Sequence, residues 1–384
     1  MAGSRLFRTF IGAAVITAAL VTPAGPAVAA TTGGSGGPAC NTPSVPTVSS
    51  VTTHAGYTDA FTKYGNTGGG WTGGDSTFSV PLKGTTLWLF SDTFLGTVNP
   101  GGSRPNDGPI VNNTFVQQRG DRFRTVHGGT TAEPDAMLPK PADDAWYWLG
   151  AGQISGDALQ VSFQRYDRFG PGQWDWKWTN NVMARYSTRD FRKLDVTPMP
   201  SGHGVSWASW LERIGGHTYV YGVEDKGAVK NMHVARVKGD DLRKRWEFWT
   251  GRGWSRDQAD SVAVQPGVAN EYSVTRYRNG YLLITQDTST IFNPDVVAYF
   301  SCSPTGPFVD KTFLYQTPEG GLSGTYGNAN IFTYNAHEHP DLRKSDGRGD
   351  KLLVTYNVNS FEWDDVIKDV TIYRPRFLEV TFAR

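Results

Sequence analysis

One pattern constrains the fold more than any other. A polar start, a short strand, a Gly/Asp/Asn turn, an apolar-aromatic strand and a polar end recur five times along the chain. The first unit is Asp75 to Asp92, turning at Lys83-Gly84, and the second Asp135 to Gln153. The third is Ser206 to Asp225, turning at Gly215-Gly216, and the fourth Asn270 to Asp287, with an Asn279-Gly280 hairpin signal. The fifth is His337 to Asn359, with a longer loop near Asp346-Gly347. The units begin 60 to 72 residues apart, enough for a four-stranded blade with generous loops. With 45 Gly, 22 Pro and 13% aromatic residues, long helices are excluded. The expectation is an all-β, five-bladed β-propeller, one domain over residues 49–384, in which Ser49 to Gly70 supplies an outer strand that closes the ring onto the last blade. Closure removes exposed sheet edges. A two-sheet sandwich fits such even spacing over so long a chain poorly.

Hairpin geometry then places the chemistry. Counting outward equally from Lys83-Gly84 sets Asp75 opposite Asp92, and opposed Cβ atoms lie roughly 4.5–5.5 Å apart. Like charges so placed are destabilising unless a proton, a cation or a substrate intervenes. The same count sets Trp207 opposite Glu224 and Tyr272 opposite Asp287, beside Glu271. In a propeller these polar ends converge on one mouth of the central channel. The funnel so defined holds Asp75, Asp92, Asp135, Gln153, Trp207, Glu224, Asp225, Asn270, Glu271, Gln286, Asp287, His337, Glu338, His339 and Asn357, with Asn113 within reach. Carboxylates and amides bind hydroxyls, and Trp faces stack on sugar rings, so the palette suits carbohydrate.

Paired carboxylates are what glycosidic cleavage requires, one protonating the departing oxygen while the other attacks or activates water. Asp75 and Asp92 are the first candidates. If they lie too close they share a proton; Asp92 then tunes Asp75, and the acid is Glu271 from the far side of the funnel. His337 and His339 share a strand face, without the HExxH spacing of a zinc protease. They are read as substrate-contact or structural residues rather than metal ligands. No cofactor is required, and a structural Ca2+ in the channel stays open.

Arg5 and Arg8, an apolar run from Phe10 to Val21 and the small residues Ala27 to Ala30 form a secretory signal peptide over residues 1–30. The run is shorter than the roughly 20 residues a spanning helix needs, so the expected product is secreted and extracellular, with no membrane contact after cleavage. Residues 31–48 are Gly- and Pro-containing linker. Cys40 and Cys302, the only cysteines, are expected to form a disulfide in an oxidising compartment. Thirty-seven Lys plus Arg against 36 Asp plus Glu leave no basic patch for nucleic acid; a monomer acting on polysaccharide is expected.

Two formal motifs carry no function. Gly33 to Gly37 satisfies GxSxG inside the linker, and Gly68 to Gly73 satisfies GxGxxG with no helix to bind a pyrophosphate. The aromatic cluster Trp174 to Trp178 (WDWKW) reads as inter-blade packing, or as a stacking surface on the funnel rim.

The stretch WTGGDSTFSVPLKGTTLWLFSDTFLG, Trp71 to Gly96, resembles the opening blade of a family of secreted bacterial proteins known only as a domain of unknown function. TYVYGVED, NEYSVT, LLITQDT, YNAHEHP and YNVNS in the later blades are similar to it too, so the resemblance runs from about Tyr57 to Phe377. That family is similar to a neighbouring group containing endo-D-arabinanases, and both resemble five-bladed propeller hydrolases of the arabinanase and levansucrase type. The resemblance implies catalytic acids at Asp75 and Asp92; no carboxylate in the second or third unit matches the third acid. The expected function is a glycoside hydrolase acting on a furanose-containing, arabinan-like polysaccharide, the alternative a non-catalytic, lectin-like propeller.

Overall fold

The computed structural model describes residues 40, 42–172, 174–227, 229–347 and 349–383; the expected signal peptide and most of the expected linker lie outside them. Alternating apolar and polar residues, bounded by turn residues, give five antiparallel sheets in chain order. Blade I is Phe78–Leu82, Thr85–Phe90, Thr114–Arg119 and Arg122–Val126. Blade II is Ala145–Ser155, Ala158–Arg168, Trp176–Ser187 and Lys193–Pro198. Blade III is Val205–Ile214, His217–Asp225, Lys230–Lys238 and Trp246–Trp249, and blade IV is Ser273–Tyr277, Gly280–Gln286, Asp295–Ser301 and Val309–Gln316. Blade V is Ile331–Glu338, Gly349–Ser360 and Arg376–Ala383, completed by Val48–Thr53 from the start of the chain.

This is a five-bladed β-propeller. Its innermost strands pack in sequence from blade I to blade IV. Blade V closes the ring: the His337 ring stacks on Phe78 at 4.7 Å, and His339 Nδ1 lies 2.8 Å from Ser79 Oγ. Close packing around the channel depends on a missing side chain, since a Cβ on Gly150 of blade II would stand 2.5 Å from the Ala208 carbonyl of blade III.

The strand expected from Ser49 to Gly70 covers only part of that stretch. After Thr53 the chain forms helix α1, Ala55–Gly65, which buries Phe61 against Trp71, Trp88, Phe90 and Phe377. The Cys40–Cys302 disulfide ties the approach to the closing strand onto the end of Asp295–Ser301 in blade IV. That bond fits export, and among the described residues no helix is long and apolar enough to cross a membrane.

Three expected hairpins need correction. Blade II begins at Ala145, not Asp135: Ala145–Ser155 pairs with Ala158–Arg168 around Gly156, and Asp135 lies in a two-residue strand against Gly128. In blade IV Tyr277 faces Gly280, so Arg278-Asn279 form the turn, one residue earlier than an Asn279-Gly280 turn, and each cross-strand partner moves by two residues. In blade V the inner strand starts at Ile331, so His337 sits deep in the channel rather than at its mouth. The turns at Lys83-Gly84 and Gly215-Gly216 stand where the pattern put them, Leu82 facing Thr85 and Ile214 facing His217. Both Gly215 and Gly216 have positive φ, which a two-residue turn of this hand demands.

Candidate active site

The end of the channel away from the hairpin turns gathers three carboxylates. Asp75 precedes the inner strand of blade I and Asp92 follows its partner strand; the Asp75 N–H donates to the Asp92 carbonyl at 3.3 Å and the Ser91 N–H to the Asp75 carbonyl at 3.1 Å. Glu271 precedes the inner strand of blade IV and reaches Ser76 beside Asp75, its Oε1 2.6 Å from Ser76 Oγ.

Tyr334 and Tyr373 both donate to Asp75 Oδ2, at 2.8 and 3.0 Å. Asn112 Nδ2 and Trp148 Nε1 both donate to Asp92 Oδ1, at 2.8 and 2.9 Å. Asp75 Oδ1 and Glu271 Oε2 are enclosed and accept no hydrogen bond from any described residue. Burial lifts the Asp75 carboxyl to about 7, the Asp92 charge adding to the lift and the two tyrosine hydroxyls opposing it. Burial likewise lifts Asp92 to about 6, and Glu271 well above the usual carboxylate range with help from the Asp75 charge. Among the described residues no cationic side chain acts on any of the three. Desolvation and like charge shift such acids toward neutral pH, the condition for acid–base work.

An aromatic arc runs from one aspartate to the other. Trp148, bonded to Asp92, packs on Tyr166 at 4.5 Å and Trp176 at 5.1 Å; Trp176 meets Trp174 at 6.2 Å. Trp174 meets Phe361 of blade V at 6.1 Å, Phe361 meets Phe332 at 4.6 Å, and Phe332 meets Tyr334, which bonds Asp75. Trp174 is 54% exposed, so the WDWKW cluster supplies both packing and an accessible ring on the rim.

The other expected funnel residues divide. Asn270 adjoins Glu271, its Oδ1 buried and without a partner. Glu224 and Asp225 end the second strand of blade III and pair with Lys226 and Lys230. Asp287 is held by Lys311 and Ser289. Gln286 donates to Asn293 and Thr333, and Asn357 to Thr77.

Asn113 is fully buried and spends its amide on Leu138 and Tyr147, tying down the connection into blade II. Its neighbour Asn112 is the one that reaches Asp92. Gln153 lies at the turn end, donating to the Asp240 carbonyl. Trp207 is core: a bulge at Ala208 shifts the register, so it pairs with Gly222 and packs on Phe248, while Glu224 pairs with Val205. Tyr272 is buried too, its hydroxyl donating to the Gly222 carbonyl.

His337, Glu338 and His339 are fully buried inside the channel. The two imidazoles do share a face, 5.2 Å apart, and burial depresses both, His337 to about 4, so they are neutral. Glu338 points the other way, into an ion pair with Arg343. Among the described residues no three His, Cys, Asp or Glu side chains are arranged to hold a metal ion.

The fold and the acid cluster define a five-bladed propeller with a carboxylate-lined funnel. Residues 58–382 match the model of the Domain of unknown function (DUF5005), and the chain belongs to that family. Among curated proteins none matches the sequence. A candidate hydrolase from Bacteroides ovatus has a similar structure, with a TM-score of 0.71 at 22% identity over 86% of this chain and 90% of that one, which shows a shared fold. An exo-β-1,3-galactanase from Clostridium thermocellum gives a TM-score of 0.44 at 10% identity, over 79% of this chain and 58% of that one. A xylan β-1,4-xylosidase from Bacillus halodurans gives 0.45 at 10%, over 82% and 54%. This chain thus spans little more than half the length of those two enzymes.

Proposed function

We propose that the protein is a secreted glycoside hydrolase that cleaves a furanose-containing, arabinan-like polysaccharide at the funnel. One observation carries the reading: three desolvated carboxylates converge from blades I and IV with no cation among the described residues to neutralise them. Such a cluster costs stability, and proton transfer is the use for which it is suited.

Roles follow from which oxygens are occupied. Asp92 Oδ1 is held by Asn112 and Trp148, and the Asp92 charge raises the proton affinity of Asp75; on that electrostatic ground it is the tuning group. Asp75 Oδ1 and Glu271 Oε2 accept nothing from the protein. The hydroxyls of Tyr334 and Tyr373 favour the ionised form of Asp75, which acts as the carboxylate that attacks the anomeric carbon or activates water. Glu271, the more proton-retentive, is the acid that protonates the departing oxygen. Trp174 on the rim offers a stacking face to a sugar ring.

Incubation with arabinans, galactans and fructans, followed by measurement of new reducing ends, tests the reading. Cleavage of arabinan is expected. Tight binding with no cleavage would instead identify a lectin-like propeller.

A further inference from the structure

Consecutive side chains in an extended strand point to opposite faces. Asp75 and Ser76 break that rule, since both reach the acid cluster: Asp75 through Tyr334 and Tyr373, Ser76 with its Oγ 2.6 Å from Glu271 Oε1 and 2.8 Å from Ser91 Oγ. The backbone explains it. The Thr77 N–H donates to the Asp75 carbonyl at 2.9 Å, and Ser76 between them has a φ of 66°. This is a γ-turn of the positive-φ kind, rare and strained.

Thr77 follows with a φ of 61°, so two consecutive residues with a Cβ hold backbone that such residues rarely adopt. The surroundings hold them there. Asn357 donates to Thr77 Oγ1, His337 Nε2 lies 3.3 Å from the Thr77 carbonyl, and the Ser91 N–H donates to the Asp75 carbonyl. Glycine would adopt the turn freely. The chain instead has a serine, whose hydroxyl is the one hydrogen-bond partner of the Glu271 carboxylate among the described residues.

We propose that Ser76 is a positioning residue for proton delivery: by anchoring Glu271 Oε1, it makes the enclosed Oε2 the oxygen that carries the proton to the departing glycosidic oxygen. The inference rests on the hydrolase reading above. The Ser76 hydroxyl lies within donating reach of both Glu271 Oε1, at 2.6 Å, and Ser91 Oγ, at 2.8 Å, and the shorter contact is the one to the carboxylate; Ser91 Oγ also accepts the Leu149 N–H at 3.0 Å. As the bond from the anomeric carbon to the glycosidic oxygen breaks, the Oε2–H bond breaks and the proton joins the departing oxygen. The carboxylate left behind keeps the Ser76 hydrogen bond, which strengthens as charge develops. Water supplies the hydroxyl at the anomeric carbon, its proton passes to Asp75, and exchange with solvent resets both acids.

The test compares Ser76→Ala and Ser76→Gly, the latter keeping the turn without its strain. On glycosides with poor alkyl leaving groups both variants are expected to lose at least about tenfold in kcat, against about twofold or less on nitrophenyl glycosides, which need no protonation. Carbon-13 NMR of the Glu271 carboxyl, identified by its loss in Glu271→Gln, is expected to show the titration moving upward in both variants as a hydrogen bond to the charged form disappears. An unmoved titration, or equal losses on both leaving groups, would overturn the role of Ser76 alone. A wild-type protein that cleaves no glycoside would overturn the reading beneath it.

Discussion

Glu271 and Glu338 occupy the same channel and meet opposite fates. Both are enclosed, and burial raises the proton affinity of each. Glu338 is buried between the inner strands of blades V and IV, where the Arg343 guanidinium opposes that rise from 2.7 Å and Thr275 adds a hydroxyl. At the mouth, Glu271 has Ser76 as its one partner among the described residues, and a second acid nearby pushes it further up. The same contrast separates Asp75 from Asp287, one held by two tyrosines and the other by Lys311. Glu338 and Asp287 each have a cation, while among the described residues the three acids at this mouth have none, and it is their convergence that marks the mouth for proton chemistry.

The sharpest way to break the contrast is to neutralise one acid from each side. Asp75→Asn and Glu271→Gln should each lower glycan cleavage by roughly 10²–10⁴-fold, while Glu338→Gln leaves the turnover of folded protein nearly unchanged. Stability should respond in the reverse sense. Glu338→Gln strands the Arg343 charge and is expected to cost about 3 kcal/mol in urea unfolding, whereas Glu271→Gln relieves a desolvated acid and should raise the midpoint. Equal destabilisation by both would erase the distinction.

A gentler probe is pH. In the unfolded chain Asp and Glu release their protons near pH 4, but Asp75 keeps its proton to about 7 and Asp92 to about 6. Over that interval the native state binds more protons than the unfolded one, so these groups lower stability as pH rises from about 4 to 7, after which their effect levels off. The Tm of Asp75→Asn should therefore gain on that of the wild type across the same window; a constant difference would contradict the raised proton affinity. Smallest of all is the rim. Trp174→Ala is expected to raise KM about two- to tenfold with kcat little changed, the worth of one stacking face.

Much of this was legible in the chain. Lys83-Gly84 fixed the register of blade I, so the Asp75–Asp92 adjacency follows from counting outward along one hairpin, whereas Gly215-Gly216 located the turn of blade III but not the bulge at Ala208 that moves Glu224 from Trp207 to Val205. Blade IV slipped because Arg278, not glycine, takes positive φ in its turn, which composition does not announce. Blade II was displaced because the apolar run Ala145–Leu149 looks equally like a first or a second strand, and the long connection before it hides the difference. Tyr57, Phe61 and Tyr64 carry the helical spacing of α1, but in a stretch already assigned to the closing strand. Tyr334, Tyr373 and Trp148 went unseen for another reason: inside apolar runs their rings read as core, and only the folded chain shows their polar tips turned toward Asp75 and Asp92. Ser76 was equally hidden, since strand alternation would turn it away from its neighbour.

The most direct test of the account is a crystal structure of Asp75→Asn soaked with an arabinan fragment. The anomeric carbon of the scissile sugar should lie between residue 75 and Glu271, with a ring stacked on Trp174. The account would be contradicted by a fragment lodged in the cavity of about 500 Å³ at the turn end, among Tyr57, Ser79, Gln118 and Asp341, with the acid cluster left untouched.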